Sequence, residues 1–264
     1  MSNTLYTRSA GDGDAVLLLH GLFGSGSNLG ALARAVQSRF HVHALDLPGH
    51  GRSDWLASYT LQGMAAQVAG WLDEHALPAV HLLGHSLGGK VAMQLALSEP
   101  QRVRSLLVAD IAPVAYPPRH APVFAALRAV AEGAPPSREA ALQLMRPHVE
   151  EEGVLQFLAS SLQRDGNGAY HWRLDHAGLE RDYAALCAAP AGPAPWQGPA
   201  LIVRGGASDY VRDAHRPAIA ARLPAATIET LPGCGHWLHA EQPQRFNAVA
   251  MRFLASVANQ PGAN

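Results

Sequence analysis

Cysteine, lysine and net charge are all scarce in this chain. Its two cysteines, Cys187 and Cys234, follow no metal-ligand spacing, and one pair is no disulfide framework. Two reduced thiols and a cytoplasmic location are the expectation. Lys90 is the only lysine, so arginine carries nearly all the positive charge. With a formal charge of −1 and a pI near 6.9, neither nucleic acid nor an anionic membrane is an expected partner. Long apolar runs are missing too. The first, Ala15 to Leu19, is too short for a secretory signal or a membrane span. No internal repeat, coiled coil or Walker-type phosphate loop is present. What remains is 264 residues, 48% of them hydrophobic, enough for a large buried core.

Short apolar runs alternate with helix-length amphipathic segments, the pattern of a mostly parallel sheet flanked by helices, an α/β fold. Strands are expected at Ala15–His20, His41–Asp46, Val80–Gly84, Val103–Asp110, Ala200–Gly205 and Thr227–Leu231. Helices are expected near Asn28–Ser38, Leu61–His75, Leu87–Ser98, Ala214–Leu223 and Pro243–Val257. Pro100, Pro199, Pro224 and Pro232 fall at boundaries, where proline does least harm. Between about Ala112 and Pro199 the alternation stops. Helices at Ala121–Ala131, Ser137–Val149 and Val154–Arg164 are followed by a loop-like Ala188–Gly198. We expect an all-helical cap over 114–198, inserted into a core made of 1–113 and 199–264.

Gly84-His85-Ser86-Leu87-Gly88 follows the apolar run Val80-His81-Leu82-Leu83 and opens a helix rich in small residues. A strand, Gly-x-Ser-x-Gly and a helix form a nucleophile elbow. The turn is so tight that residues two before and two after the serine must be tiny, leaving Ser86 exposed in a strained conformation. A serine hydroxyl is a weak nucleophile at neutral pH, so it needs a base, and the base an orienting acid. The base is expected at His236, in the Gly-rich loop Leu231-Pro232-Gly233-Cys234-Gly235-His236-Trp237 after the last strand. His239 is the weaker candidate, and His85 should point away from Ser86.

Two acids compete. Asp209 lies in the loop Gly205-Gly206-Ala207-Ser208-Asp209, near where such an acid commonly falls. Asp110 closes the apolar strand Leu106-Leu107-Val108-Ala109 beside the serine's strand. A carboxylate there is costly to desolvate unless paired, and it can reach the Nδ1 side of His236. That argument favours Asp110 and keeps Asp209 as the alternative. The oxyanion of acyl transfer needs preorganised donors. The backbone N–H of Leu87 is one, and Leu22 in His20-Gly21-Leu22-Phe23-Gly24-Ser25 the other, with Phe23 close behind. Leu22, Phe23 and Leu87 should form an apolar floor, with Phe23 and Trp237 in the substrate pocket. The loop Asp46–Ser53 reads as structural support, and His41 with His43 lack a third ligand for a metal.

These motifs, in this order and spacing, resemble the α/β-hydrolase superfamily over essentially the whole length. Within it the chain is similar to the small YbfF-type bacterial esterases and their mitochondrial abhydrolase relatives. The match also rests on Val108–Val114, Gln156-Phe157-Leu158, Arg204–Ser208 with Tyr210-Val211, and Gly235–Ala240. The resemblance implies that Asp110 is the acid and that Ser208 assists the histidine from behind it. Asp209 beside that serine keeps a second acid available. It further implies hydrolysis of a small-molecule carboxylic ester, or of an acyl thioester such as acyl-CoA. The route is an acyl-enzyme on Ser86, with no metal or organic cofactor.

Other readings stay open. A lyase or other non-hydrolytic activity would use the same residues. A dehalogenase or epoxide hydrolase would want an aspartate where Ser86 stands. A ligand-binding protein with little turnover would keep the fold alone. Acyl-chain length and oligomeric state are not written in the residues.

Overall fold

Val16 and Leu18 face one side of a buried strand while Leu17 and Leu19 face the other, and burial on both faces sets the architecture. The computed structural model describes residues 4–166 and 168–258, so positions 1–3 and 259–264 of the expected core lie outside the described residues. The chain opens with β1 (Thr7–Ala10), β2 (Ala15–Leu19), α1 (Gly30–Val36), β3 (His41–Leu45), α2 (Leu61–Glu74), β4 (Val80–His85), α3 (Leu87–Ser98) and β5 (Val103–Ala109). There follow α4 (Ala121–Gly133), α5 (Arg138–Met145), α6 (Glu152–Ala159), β6 (Leu162–Arg164), β7 (Tyr170–Trp172), α7 (His176–Arg181) and α8 (Tyr183–Leu186). The last part holds β8 (Ala200–Gly205), α9 (Arg216–Arg222), β9 (Ala226–Leu231), α10 (Leu238–Glu241) and α11 (Pro243–Ala258).

Seven strands form one sheet in the order β1-β3-β2-β4-β5-β8-β9. All neighbours run parallel except β1, which pairs antiparallel with β3 at the edge. On one face Leu17, Leu82, Leu106 and Ile202 pack with Met64 and Val68 of α2 and Val91 and Leu95 of α3. On the other, Leu18, Leu83, Leu107 and Val203 meet Leu32 and Val36 of α1 and Phe246 and Leu254 of α11. Side chains alternate along each strand, so a single buried run feeds both layers. The parallel strands all aim their carboxyl ends at one edge of the sheet, where open α/β sheets bind ligands.

Three expectations need correction. The 114–198 segment is not all helical, because β6 and β7 form an antiparallel hairpin within it. The helix expected to run to Arg164 ends at Ala159, where the Ser160 N–H turns back to the carbonyls of Gln156 and Phe157. Between the two strands Asp165 Oδ1 accepts the Ala169 N–H at 2.9 Å. The helix expected from Asn28 starts only at Gly30, after one 3-10 turn at Gly26–Leu29. Strand β1 lies outside the expected strands, because Thr-Arg-Ser-Ala has no buried alternation to mark an edge strand.

Candidate active site

Ser86 sits between β4 and α3 with φ 51° and ψ −116°, a backbone conformation that L-residues rarely hold. Glycine on either side is obligatory. A Cβ at Gly84 would fall 2.3 Å from the Gly88 carbonyl oxygen, and one at Gly88 2.3 Å from that of Leu19. The Ser86 N–H is tied to the Ala109 carbonyl at 3.0 Å, so the turn is braced by the neighbouring strand. Ser86 is half-buried rather than standing free, because residues of α4 and α6 close over the same cavity.

The His236 ring lies between serine and acid. Its Nε2 is 3.0 Å from Ser86 Oγ, and its Nδ1 is 2.8 Å from Asp110 Oδ2. With Nδ1–H donating to the carboxylate, Nε2 is left as the acceptor of the serine hydroxyl. Asp110 is fully buried, and three donors compensate its charge: Gly205 N–H on Oδ1 at 2.9 Å, and His236 Nδ1–H and the Ser208 hydroxyl on Oδ2. Asp209 is elsewhere. Its carboxylate is largely exposed and receives Arg119 Nη1 at 3.1 Å on both oxygens. Geometry therefore brings Ser86, His236, Asp110 and Ser208 together and leaves Asp209 outside.

The loop after β2 faces Ser86. Phe23, at φ 65°, gives its N–H to His50 Nε2 at 3.2 Å, which removes it as a second oxyanion donor. Among the described residues, the N–H groups of Leu22 and Leu87 have no acceptor. Two buried histidines hold this loop. His20 donates Nδ1–H to the Gly21 carbonyl and accepts the Leu47 N–H on Nε2, while His50 donates Nδ1–H to the Pro48 carbonyl. Burial pushes His20 down to about 4 and His50 to about 3, so both stay neutral at physiological pH. The supporting role expected of the Asp46–Ser53 loop thus runs through His50.

A cavity of about 300 Å³ opens above Ser86, its walls including Phe23, Val123, Val154, Phe157, Leu158 and Trp237. A pocket of about 50 Å³ adjoins it, lined by Leu22, Leu87, Ile111, Tyr116 and Leu186 among others. Leu22 and Ser86 border both.

Several contributors carry no clear sequence signal. Tyr210 stacks on the His236 ring, centroids 3.8 Å apart and planes 18° from parallel. Its signal is only proximity to Ser208. Glu241 takes the N–H groups of Gly235 and Trp237 at 2.6 and 3.1 Å, clamping the loop that carries His236. An acid four residues past Trp237, closing a short helix, is the available clue. His85 turns from Ser86 and donates Nε2–H to the His236 carbonyl at 2.9 Å, while His239 packs against His85. Lys90 donates to the carbonyls of Cys187 and Ala188 at 2.7 and 2.6 Å, tying α3 to the end of α8. His41 and His43 lie ring to ring at 4.2 Å, and no group of three or more metal-ligating residues gathers among the described residues. No helix among them is long and apolar enough to cross a membrane.

A family model described as "Alpha/beta hydrolase family" matches residues 16–249. The esterase YbfF of Escherichia coli (strain K12) is 37% identical over 240 residues, covering 90% of this chain and 92% of that protein. The sn-1-specific diacylglycerol lipase ABHD11 of Mus musculus is 38% identical over 256 residues, covering 92% and 83%. Among solved structures, a marine microorganism esterase superposes with a TM-score of 0.92 at 32% identity, covering 96% of this chain and all of that one.

Proposed function

The chain belongs to the alpha/beta hydrolase family, and from that premise we propose that it is a serine hydrolase cleaving small-molecule carboxylic esters through an acyl-enzyme on Ser86. The observation that carries this reading is the unbroken hydrogen-bond line from Ser86 Oγ through His236 to the buried Asp110. Relatives named as an esterase and as a diacylglycerol lipase support ester cleavage as the reaction class.

In the proposed reaction His236 Nε2 takes the hydroxyl proton as Ser86 Oγ attacks the ester carbonyl. Asp110 holds the ring in the required tautomer and balances the imidazolium that forms. The N–H groups of Leu22 and Leu87 receive the developing oxyanion. Collapse breaks the acyl–oxygen bond, and His236 returns its proton to the leaving alcohol. Water, deprotonated by the same imidazole, then attacks the acyl-enzyme and frees the acid and Ser86. Ser208 acts on Asp110, and the segment 114–198 serves as the cap that shapes the acyl site.

The apolar walls of the large cavity, Phe23 and Trp237 among them, favour an apolar acyl group, at the lower end of the volume range of small-molecule sites. Acyl thioesters offer the same electrophilic carbonyl and are included in the proposal. The test is hydrolysis of p-nitrophenyl butyrate with Ser86→Ala as the blank. Turnover that vanishes in the variant upholds the reading, and turnover surviving in it overturns Ser86 as nucleophile. Oxygen and sulfur esters of one acyl group, compared by kcat/KM, then define the leaving-group preference.

A further inference from the structure

Arg8 on β1, Arg52 in the loop after β3 and Arg173 just past β7 converge on one polar cleft of about 80 Å³. Ser25, Ser27 and Ser160 line the same cleft. Among the described residues none of these three arginines forms an ion pair, although Arg102, Arg104, Arg119 and others do. Their side-chain partners are neutral. Arg8 Nε and Arg52 Nη1 donate to the Tyr6 hydroxyl at 3.3 and 2.8 Å, and Arg173 Nε donates to Gln163 Oε1 at 2.7 Å. Each guanidinium therefore keeps further N–H groups without a protein acceptor. Hydrogen bonding from Arg8, aided by the charge of Arg52, draws the Tyr6 phenol below its usual range, a mark of positive potential at this spot.

One carboxylate lines the cleft. Asp46 directs its oxygens at backbone, Oδ1 accepting the Gly26 N–H at 2.7 Å and Oδ2 the Arg52 N–H at 2.9 Å. The lining is left with an excess of positive charge in a chain whose overall charge is −1. Guanidinium groups recognise multi-oxygen anions through paired N–H donors, and serine hydroxyls add neutral ones. The cleft has room for a tetrahedral oxyanion beside these donors.

We propose that this cleft binds a phosphate group, free or carried by an ester substrate. The two sources share one chemistry, and the second rests on the esterase reading. Its basis is position: Phe23, Gly24 and Asn28 line the catalytic cavity, while Ser25, Gly26 and Ser27 of the same stretch line the cleft. Ser161, also at the cleft, donates its hydroxyl to the Phe23 carbonyl at 2.9 Å. A phosphate on a limb of the substrate would sit beside the loop that faces Ser86.

The first experiment titrates inorganic phosphate into the Ser86→Ala protein by calorimetry at constant ionic strength. Saturable binding is expected, weakened about tenfold or more by Arg52→Gln and by Arg173→Gln, and unchanged by Arg138→Gln. Arg173→Gln stands on the other wall, so it decides the matter if the Arg52 variant fails to fold. No saturable binding, or binding indifferent to both substitutions, overturns the proposal. The second experiment gives the active protein the butyrate esters of glycerol and of glycerol 3-phosphate. A KM at least tenfold lower for the phosphorylated ester, equalised by Arg173→Gln, identifies a substrate-borne phosphate. Equal KM values with phosphate binding intact identify a site for the free anion. Failure to hydrolyse either ester, with phosphate binding intact, overturns the substrate-borne source and leaves the free-anion site standing, while p-nitrophenyl butyrate turnover separately decides the esterase reading.

Discussion

His50 Nε2 accepts the backbone N–H of Phe23 at 3.2 Å, and this bond reaches from the loop after β3 to the loop that faces Ser86. It holds Phe23 at φ 65° and leaves Leu22 as the neighbour with a free N–H. His50→Leu strands a buried donor, which costs about 1–3 kcal/mol of stability. We expect kcat to fall about tenfold or more with KM changed little, since the oxyanion donors matter most in the transition state. Steady-state kinetics and a denaturation curve on the same preparation check both effects. An unchanged kcat would remove His50 from the support of the site.

Asp110→Asn should lower kcat by roughly a thousandfold or more, because the amide favours the wrong tautomer of His236. Asp209→Asn should cost no more than about threefold, because its carboxylate engages an exposed arginine instead. Parallel kinetics on the two variants decide the point, and a larger loss at Asp209 would reverse the assignment.

Stability should fall on acidification below the ordinary histidine range. Burial lowers His20 and His239 to about 4 and His50 to about 3, from an unfolded value near 6.5. Between those values the unfolded chain binds more protons than the folded one. Stability is therefore full above about pH 6.5 and is lost as pH falls toward about 4, by about 1.4 kcal/mol per pH unit for each such group. Urea midpoints at about pH 5 and about pH 7.5 measure this slope, and His50→Leu should make it shallower. A midpoint flat across that window would contradict neutral burial.

Phe157 on α6 lines the large cavity and faces Trp237 with ring centroids 6.2 Å apart. Phe157→Ala enlarges the acyl site, so kcat/KM across p-nitrophenyl esters should shift toward longer chains. An unaltered chain-length profile would place the acyl group elsewhere, with the pocket of about 50 Å³ as the next candidate.

Some of this was readable in the residues because short-range sterics decide it. Gly84 and Gly88 flanking Ser86 announce a turn that only glycine fits, and Val80–Leu83 announces a strand buried on both faces. The pairing of Leu162–Arg164 with Tyr170–Trp172 was not legible in the same way, because three-residue strands show no alternation and the apolar spacing of Val154–Leu158 carries the expected helix past its true end. Strand β1 gave no such sign, since its side chains are mostly exposed and its partner lies far along the chain.

Local residue patterns determined the strand–turn–helix around Ser86, the Gly-rich loop of His236 and the alternation that lays strands side by side. These depend on backbone conformation and on which faces must leave water, and neighbours in sequence settle both. Only the tertiary structure decided that Asp110 meets His236 while Asp209 meets Arg119, that Tyr210 stacks on the imidazole, and that His50 occupies the Phe23 N–H. It alone gathered Arg8, Arg52 and Arg173 into one cleft. Each of these joins residues distant in sequence, and a hydrogen bond or stacked ring is specified by ångström-scale placement that only the packing of separate elements supplies.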